Sequence, residues 1–380
     1  MDILWITHSF PRHRGDAAGS FLLRLAVALG ELGVRVHVLA PSAPGYPVNE
    51  VLDGVPVHRH RYAPEPLETL AYTGQMVESV RGSFGGKLAL AGLLLSGAVA
   101  ARRLRERIRP AVVHAHWSFP GGLIGALSHG DVPLVTTLHG TDVRLAAAGI
   151  AGRAAFRRVI AASTTVTTVS TWLAARAEAL SPGLRAIVAP MPVATDLFSP
   201  DGARDPRRLL FVGRVTEQKG VPSLLAAVAA MRTRVQLDLV GDGPDTVNER
   251  SRAAALGIAD RVTWHGALSQ AALLPLYRRA AALVVPSRDE GLGLVAVEAQ
   301  LCATPVVAFD SGGLPDVVAH DRTGALVPAG DVPALASALD ALLADPARAA
   351  TLGDAGRLAA LVRFTPRAVA ARYADIYRNA

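Results

Sequence analysis

Apolar positions along this chain follow two repeating patterns. Short runs rich in β-branched residues predict buried strands, and longer stretches with apolar residues every three or four positions predict helices. In the first half of the chain, strands are predicted at residues 2–7, 34–40, 55–60, 111–114, 133–138, 164–169 and 185–188, and helices at 20–31, 87–108, 121–128, 152–161 and 171–180. This alternation predicts a mostly parallel sheet covered by helices on both faces.

The pattern breaks at residues 189–202 and then starts again. Three prolines and a glycine within these fourteen residues predict a linker. Further strands are predicted at residues 208–212, 235–240, 261–264, 281–285, 305–308 and 325–327, each followed by a loop and a helical stretch. We therefore expect an α/β protein with two Rossmann-like, doubly wound domains that face a central cleft, with ligands bound beyond the carboxyl ends of the strands.

A last helix is predicted at residues 366–379. It has a proline at its first position and carries Val369, Tyr373, Ile376 and Tyr377 at helical spacing. From the pattern alone, this apolar face can pack on either domain.

The composition fits a helix-rich α/β protein of two domains. The chain has 380 residues, which exceeds the size of most single cores, and 51% of them are hydrophobic while only 5% are aromatic. Cys302 is the only cysteine, which excludes an internal disulfide and a cysteine-rich metal site and is consistent with a reducing cytoplasm. The net charge of +7 indicates an acidic partner.

Neither a signal peptide nor a membrane span is predicted. Residues 2–7 are too few, and the longest apolar stretch, residues 88–101, is shorter than the roughly 20 residues that a span needs. A core helix is the better interpretation of that stretch. The basic run at residues 102–109 either contacts anionic lipid or forms the solvated face of the same helix, with Leu104 and Ile108 buried.

Residues 286–300 carry the strongest candidate chemistry. A predicted strand leads into a glycine turn, and an alanine-rich helix begins near Gly293, so that backbone N–H groups at residues 292–295 would face an anion. Glu290 in the loop and Glu298 on the helix can accept hydrogen bonds from vicinal hydroxyls, which indicates a ligand with both phosphate and sugar. The alternative is a loop glutamate and a solvated helix glutamate.

A second candidate anion site follows the first strand of the second half. Arg214 offers a planar fork and Lys219 a compact charge, and together they can neutralise a diphosphate. Of 39 basic residues only Lys87 and Lys219 are lysine, which favours a function for Lys219 over a solvated charge. No two aspartates stand at positions i and i+2, so the Asp-x-Asp metal clamp of one large class of sugar-nucleotide enzymes is missing. Side-chain cations and helix amides would then carry a leaving diphosphate's charge.

The loop after the first strand also contains glycines. Gly15 and Gly19 precede a helix that Ser20 can cap, where a phosphate-binding turn belongs. Their spacing is not G-x-G-x-x-G, which disfavours a dinucleotide cofactor and a nicotinamide-dependent dehydrogenase. Alternatively, the glycines only permit the turn.

Two polar residues follow the strand predicted at residues 133–138. His139 and Asp142 would project into the cleft, where they can orient hydroxyls or take a proton, unless the histidine is merely structural. His114 and His116 have no third metal ligand at a supporting spacing, and we interpret them as packing and hydrogen-bonding residues.

In combination, these motifs resemble the retaining glycosyltransferases of family 4, group 1 transferases with the GT-B fold that include glycogen synthases and mannosyltransferases. The resemblance extends over essentially the whole chain. The motifs that carry it are Gly213-Arg214 with Lys219-Gly220, Val240-Gly-Asp-Gly-Pro244, Glu290 and Glu298 eight positions apart, Glu298-Ala299, Gly312-Gly-Leu-Pro315 and Thr323-Gly324. The family's adjacent glycine pair is spread here over Gly15 and Gly19.

The resemblance implies domains and roles. Residues 1–195, joined by the final helix at 366–380, would bind the acceptor, and residues 196–365 the donor. Glu290 would contact the donor sugar and Glu298 the nucleotide ribose. The implied catalytic residues are His139, Asp142, Arg214, Lys219 and Glu290. The implied donor-binding residues are Gly19, Gly213, Arg214, Lys219, Gly241, Gly291, Leu292, Gly293, Leu294 and Glu298.

The function that this resemblance implies is a retaining, metal-independent transfer of a hexosyl-type sugar from a nucleoside diphosphate sugar, with no cofactor and no nucleic-acid partner. The acceptor would be a glycan, a lipid-linked sugar or a small molecule, and the location the cytoplasm, with peripheral contact at the inner face of the membrane. The alternatives are a sugar-nucleotide epimerase or hydrolase on the same fold and a non-catalytic sugar-nucleotide-binding partner.

Overall fold

The computed structural model describes residues 1–72 and 76–380, which form two compact units. Unit 1 consists of Met1–Pro192 and Pro366–Ala380, and unit 2 of Val193–Thr365. The chain passes from unit 1 to unit 2 inside the predicted linker, three residues before the predicted boundary between residues 195 and 196. It returns to unit 1 for its last helix.

Unit 1 contains an eight-stranded sheet with helices packed on it. Its strands are β1 (Asp2–Ile6), β2 (Arg35–Pro41), β3 (Asn49–Leu52), β4 (Val55–His60), β5 (Val112–His116), β6 (Leu134–Leu138), β7 (Thr165–Thr168) and β8 (Ile187–Val188). Its helices are α1 (Ser20–Glu31), α2 (Met76–Gly82), α3 (Phe84–Ile108), α4 (Leu123–Ser128), α5 (Thr141–Ala147), α6 (Ile150–Ala162), α7 (Thr171–Leu180) and α14 (Pro366–Arg378).

The strand order in unit 1 is β3-β4-β2-β1-β5-β6-β7-β8. All neighbours are parallel except β3, which runs antiparallel to β4 at the edge. Strand β1 lies between β2 and β5, with Trp5 beside Val38 on one side and beside His114 on the other. The chain order therefore reverses at β1 and β5, and a crevice is expected beyond their carboxyl ends.

Unit 2 contains a six-stranded parallel sheet. Its strands are β9 (Asp205–Val212), β10 (Gln236–Val240), β11 (Val262–Gly266), β12 (Ala280–Val285), β13 (Val306–Asp310) and β14 (Ala325–Pro328). Its helices are α8 (Val221–Ala230), α9 (Thr246–Ala255), α10 (Gln270–Arg279), α11 (Leu294–Leu301), α12 (Val332–Ala344) and α13 (Pro346–Arg363). The strand order β11-β10-β9-β12-β13-β14 places the reversal between β9 and β12.

The final helix α14 lies in unit 1, where its aromatic side chains are buried. The indole Nε1 of Trp5 donates to the hydroxyl of Tyr377 at 3.0 Å, and that hydroxyl lies 2.7 Å from Nδ1 of His114. The hydroxyl of Tyr373 donates to the backbone carbonyl of Ala189 at 3.2 Å. The apolar face that the hydrophobic pattern alone left unassigned therefore covers the middle of the unit 1 sheet.

Most predicted elements are present, and the differences are local. Strand β3 and helices α2 and α5 were not predicted, and the strand predicted at residues 185–188 shrinks to Ile187–Val188. Strand β3 is a four-residue edge strand whose first three residues are not buried, so it lacks the apolar run that marks a strand.

Helix α3 is longer than predicted and is the one helix in the described part of the chain that is long and apolar enough, by length and composition, to cross a membrane. Its residues Leu93, Ala101 and Leu104 are buried in the unit 1 core. The prediction of a core helix therefore holds for the side that carries these three residues. Most residues in the most apolar stretch of α3 are not buried.

Candidate active site

The reversal point of unit 2 brings Lys219 and Glu290 together. Lys219 follows β9 and Glu290 follows β12, and these strands are neighbours in the sheet. Nζ of Lys219 lies 2.6 Å from Oε2 of Glu290, and the two side chains are 25% and 16% exposed. Two candidate residues that are 71 positions apart in sequence therefore form one partly buried ion pair at the place where doubly wound sheets bind ligands.

Backbone contacts fix the two loops that carry this pair. The N–H of Arg288 donates to the carbonyl of Gln218 at 2.8 Å, and the N–H of Gly313 donates to the carbonyl of Glu290 at 2.7 Å. Gly220 has a φ of 72°, and a Cβ there would overlap the carbonyl of Pro286. The glycine is required because the β9 and β12 loops approach too closely for a side chain.

The glycine turn after β10 packs against the loop that follows β9 and carries Lys219. Gly241 has a φ of 128°, and a Cβ there would overlap the carbonyl oxygen of Gly213. The aliphatic stem of Lys219 packs over Gly213. Arg214 is exposed and forms no ion pair with any residue in the ranges 1–72 and 76–380. The loop thus presents one paired and one unpaired cation.

Helix α11 begins directly behind Glu290. Gly293 occupies its N-cap position with a φ of 90° and provides no side-chain cap. Helix geometry leaves the N–H groups of the first turn, which include those of Leu294 and Val295, without intrahelical partners. Leu292 is buried. A Cβ built on Gly293 would lie 3.6 Å from Cγ of Glu290, so the start of the helix is close to the Glu290 side chain. The Lys219–Glu290 pair therefore lies beside a helix N-terminus.

Glu298 is 6% exposed, so its interpretation as a solvated helix glutamate is wrong. Its Oε1 accepts from Nε2 of Gln270 at 2.9 Å, and its Oε2 accepts from the hydroxyl of Tyr277 at 2.8 Å. Burial, and then the Glu298 charge and hydrogen bond, raise the pKa of Tyr277 well above its usual value. Glu298 is thus held rigidly by α10, and a ribose would have to share these oxygens.

In unit 1, Gly19 fills the N-cap position of α1 with a φ of 69°, and Ser20 is the first helical residue. The prediction that Ser20 caps this helix is wrong. A Cβ at Gly19 would lie 2.5 Å from the carbonyl oxygen of Ser9, whereas Gly15 has open space around it. Gly19 is required by close packing within its own loop, and Gly15 only permits the turn.

The carboxylate of Asp142 is buried and points at backbone amides. It accepts from the N–H groups of Ser118 at 2.8 Å, Gly140 at 2.9 Å and His139 at 3.2 Å. Burial raises the pKa of Asp142, although these hydrogen bonds lower it in part. The first role of Asp142 is therefore to hold the loops that follow β5 and β6 in register.

His139 is held in one orientation by its neighbours. Its ring stacks on Trp117 with centroids 4.1 Å apart, and its Nε2 lies 3.2 Å from Nδ1 of His116. Nε2 of His116 is buried without a partner in the described chain, and an orphaned lone pair is less unfavourable there than an orphaned N–H. We therefore assign the His116 proton to Nδ1, which makes Nε2 of His139 an acceptor and leaves its proton on Nδ1. Burial, together with His114 and His8, lowers the pKa of His139 well below its usual value, so the ring is neutral.

Comparison with known proteins identifies the family. Residues 194–359 match the family model for glycosyl transferases group 1, and residues 18–197 match the model for glycosyltransferase family 4. A Mycolicibacterium smegmatis protein named GDP-mannose-dependent alpha-(1-6)-phosphatidylinositol monomannoside mannosyltransferase is 32% identical, over 98% of this chain and 97% of its own. The chain belongs to the group 1, family 4 glycosyltransferases.

Other relatives of this glycosyltransferase have different names. A Xylanimonas cellulosilytica protein named D-inositol 3-phosphate glycosyltransferase is 32% identical over 96% of this chain and 93% of its own. A Mycobacterium tuberculosis protein named glycogen synthase is 30% identical over 92% and 91%. The family is therefore shared while the named reactions differ.

Solved structures confirm the GT-B fold of the glycosyltransferase. A sucrose-phosphate synthase from Thermosynechococcus elongatus matches with a TM-score of 0.82 and 25% identity, over 100% of this chain and 98% of that chain. The Anabaena protein HepE, solved in complex with UDP and glucose, matches with a TM-score of 0.76 and 19% identity over the full length of both chains.

The structure also adds residues to the candidate site of this glycosyltransferase. Trp117 has a φ of 63° directly after β5 and contacts both His139 and His8, whose ring centroid lies 4.6 Å away. His114 and His116 are buried and make the packing and hydrogen-bonding contacts predicted for them. In the sequence, the only sign of a role for Trp117 is its position directly after a buried strand. Its contacts with His139 and His8 depend on the conformation of the turn, which the sequence does not show.

Proposed function

We propose that unit 2 of this glycosyltransferase binds a nucleoside diphosphate sugar and that the enzyme transfers a hexosyl-type sugar to an acceptor held by unit 1, with retention of anomeric configuration and without a metal. The observation that carries the proposal is the Lys219–Glu290 pair beside the N-terminus of α11. In one crevice, a cation and a helix N-terminus suit the diphosphate of such a donor, and a carboxylate suits its sugar hydroxyls.

The donor would replace the Lys219–Glu290 contact with contacts of its own. In the proposal, Lys219 turns to the diphosphate together with the exposed Arg214, and Glu290 accepts hydrogen bonds from sugar hydroxyls. The amides at Gly291, Leu292 and residues 293–294 hold the phosphate and sugar, and Glu298 receives the ribose.

The transfer step follows front-face attack. The bond between the anomeric carbon and the diphosphate oxygen breaks, the acceptor oxygen forms a bond to the same face of that carbon, and the acceptor proton passes to the departing phosphate. Lys219, Arg214 and the α11 N-terminus stabilise the negative charge that develops on the diphosphate, which is the charge a metal would otherwise neutralise. Neutral His139, with its proton on Nδ1, orients a hydroxyl by hydrogen bonding, and Asp142 holds the His139 loop.

Donor and acceptor candidates come from the relatives. GDP-mannose is the first donor to test, because it is the donor in the name of the Mycolicibacterium relative, and that name also supports a lipid-linked acceptor. The UDP complex of HepE makes UDP-glucose the second. We place the reaction in the cytoplasm, which the single buried Cys302 fits, with peripheral contact to the membrane.

Thermal unfolding with a panel of sugar nucleotides tests donor binding. A donor at 100 times its dissociation constant stabilises the folded protein by about 2.7 kcal/mol, so a true donor raises the melting temperature. Turnover is then measured with and without a chelator, and the anomeric configuration of the product is read by NMR. Loss of activity with the chelator, or an inverted product, would refute the corresponding part of the proposal. Donor consumption at full rate without an acceptor would instead identify a hydrolase or epimerase, and donor binding without any turnover a non-catalytic partner.

A further inference from the structure

One side of helix α3 presents apolar side chains to solvent. Phe84 is 76% exposed, Leu88 58%, Leu95 69% and Val99 46%, and Ala91 between them is also exposed. These five residues, which we call the α3 outer face, are spaced by three or four positions and therefore lie along one side of the helix. At 1.5 Å per residue the α3 outer face is about 22 Å long. No described segment of the chain covers it.

The inner side of α3 holds the helix on the unit 1 sheet, but it does not explain why the α3 outer face is apolar. Leu93, Ala101 and Leu104 pack into the unit 1 core with β1 and β2. A helix on the surface of a soluble domain normally carries polar residues on the side away from the core. Because the inner side is part of the sheet's core, α3 cannot leave it to span a membrane without exposing that apolar core to water.

The charges of α3 are almost all positive. Between residues 84 and 109 the chain has six basic residues and one acidic residue, Glu106, which pairs with Arg105 at 3.5 Å. Arg102, Arg103 and Arg107 are exposed in the last turns, directly after the apolar positions. An apolar strip flanked by cations is the pattern that binds anionic bilayer surfaces, where apolar side chains enter the acyl boundary and basic side chains meet the headgroups.

The same charges disfavour a second copy of the chain as the occupant. A two-fold dimer through the α3 outer face pairs this helix with itself, so its six basic residues would meet no acidic side chain on the facing helix except Glu106, which already pairs with Arg105. An anionic lipid surface complements both the apolar strip and the arginines.

We propose that the α3 outer face is a peripheral docking surface for an anionic lipid bilayer. It deepens the proposed function, since an enzyme docked in this way meets a lipid-linked acceptor at the membrane surface. The docking itself depends on no donor, so it is measured separately from transfer.

The test is sedimentation of the full chain with large vesicles, either of phosphatidylcholine alone or of equal parts phosphatidylcholine and phosphatidylglycerol, in low and high salt. The wild-type protein should sediment with the anionic vesicles, and the bound fraction should fall with salt. Leu88→Gln/Leu95→Gln should lower the partition coefficient at least tenfold, because each exposed leucine loses most of its transfer free energy. Arg103→Gln/Arg107→Gln should lower it several-fold in low salt only.

A matched control comes from unit 2. Leu358 and Val362 are 67% and 74% exposed on α13, four positions apart, and Leu358→Gln/Val362→Gln should bind vesicles as the wild type does. Thermal unfolding shows whether each variant is folded, and the wild-type comparison of lipids and salt needs no variant at all.

The outcomes are distinct. Absence of wild-type binding to anionic vesicles, or equal binding by Leu88→Gln/Leu95→Gln, overturns the proposal. A wild-type dimer in light scattering that this variant abolishes, without vesicle binding, assigns the surface to a second copy. Vesicle binding without a donor-induced thermal shift would support the docking surface and count against the proposed donor.

Discussion

Removal of the Lys219 ammonium should affect turnover more than stability. Opposite charges 2.6 Å apart attract by about 6 kcal/mol at an effective dielectric constant of about 20, and desolvation offsets most of this. A charge-assisted hydrogen bond keeps about 1.5–3 kcal/mol, and because Lys219 is 25% exposed we expect Lys219→Ala to lower the free energy of unfolding by about 1–2 kcal/mol. Turnover should fall about 10²- to 10³-fold, which corresponds to about 2.7–4 kcal/mol of lost transition-state stabilisation.

Release of nucleoside diphosphate in the presence of acceptor measures turnover, and urea unfolding measures stability. Glu290→Ala should show a similar loss of turnover, because the sugar hydroxyls lose their acceptor. The matched control is Arg207→Ala, which removes an exposed cation from the opposite end of β9 and should leave turnover within twofold of the wild type.

The double variant Lys219→Ala/Glu290→Ala tests the contact itself. Since neither side chain then leaves an unpaired charge, its loss of stability should be smaller than the sum of the two single losses by about 1 kcal/mol. Turnover within tenfold of the wild type in Lys219→Ala would refute the assigned role of the cation. Additive stability effects would show that the 2.6 Å contact contributes nothing in solution.

Three further predictions follow from contacts in the two units. Gly241→Ala should lower the free energy of unfolding by at least about 2 kcal/mol in urea titrations, because its Cβ overlaps a backbone carbonyl, whereas Gly257→Ala, with a φ of 68° and open space, should cost about 1 kcal/mol; equal losses would contradict this. Tyr377→Phe should cost about 2–4 kcal/mol in the same assay, since it removes the partner of both Trp5 Nε1 and His114 Nδ1, and a loss below about 1 kcal/mol would show that the network is dispensable. Burial lowers the pKa of His114 from 6.5 to about 3, so the unfolded chain takes up its proton first. Stability should therefore fall on acidification below pH 6.5 by about 1.4 kcal/mol per pH unit from this residue alone, and unfolding curves that are constant down to about pH 4 would contradict it.

The architecture was predictable because it depends on the hydrophobic period. Buried parallel strands such as β12, in which all six residues are buried, have continuous apolar runs that end at turn residues. Strand β3 and helix α5 have no such run. Helix α5 begins two residues after His139 and contains Asp142 in its first turn, so the polar segment and the start of the helix overlap and neither has a clear apolar period.

The candidate site was predictable as positions but not as contacts. The rule that ligands bind where strand order reverses places the β9 and β12 loops together, yet the direct contact of Lys219 with Glu290 depends on rotamers. The anchoring of Glu298 by Tyr277 and Gln270, and of Asp142 by backbone amides, depends on residues 2 to 28 positions away. Of these, Tyr277, Gln270 and Ser118 belong to no motif that the sequence shows. Sequence spacing shows that a carboxylate is present, whereas its partners decide what it can still accept.

The two crossings of the chain between its units set an order for synthesis. Unit 2 is a continuous segment, Val193–Thr365, and all its strands are synthesised before α14. Unit 1 has all its strands earlier still, but Trp5 and His114 lack their buried partner until Tyr377 emerges. The half of the molecule that is translated first is therefore the half that matures last, and a ribosome that stalls before residue 366 leaves that half with an open apolar flank.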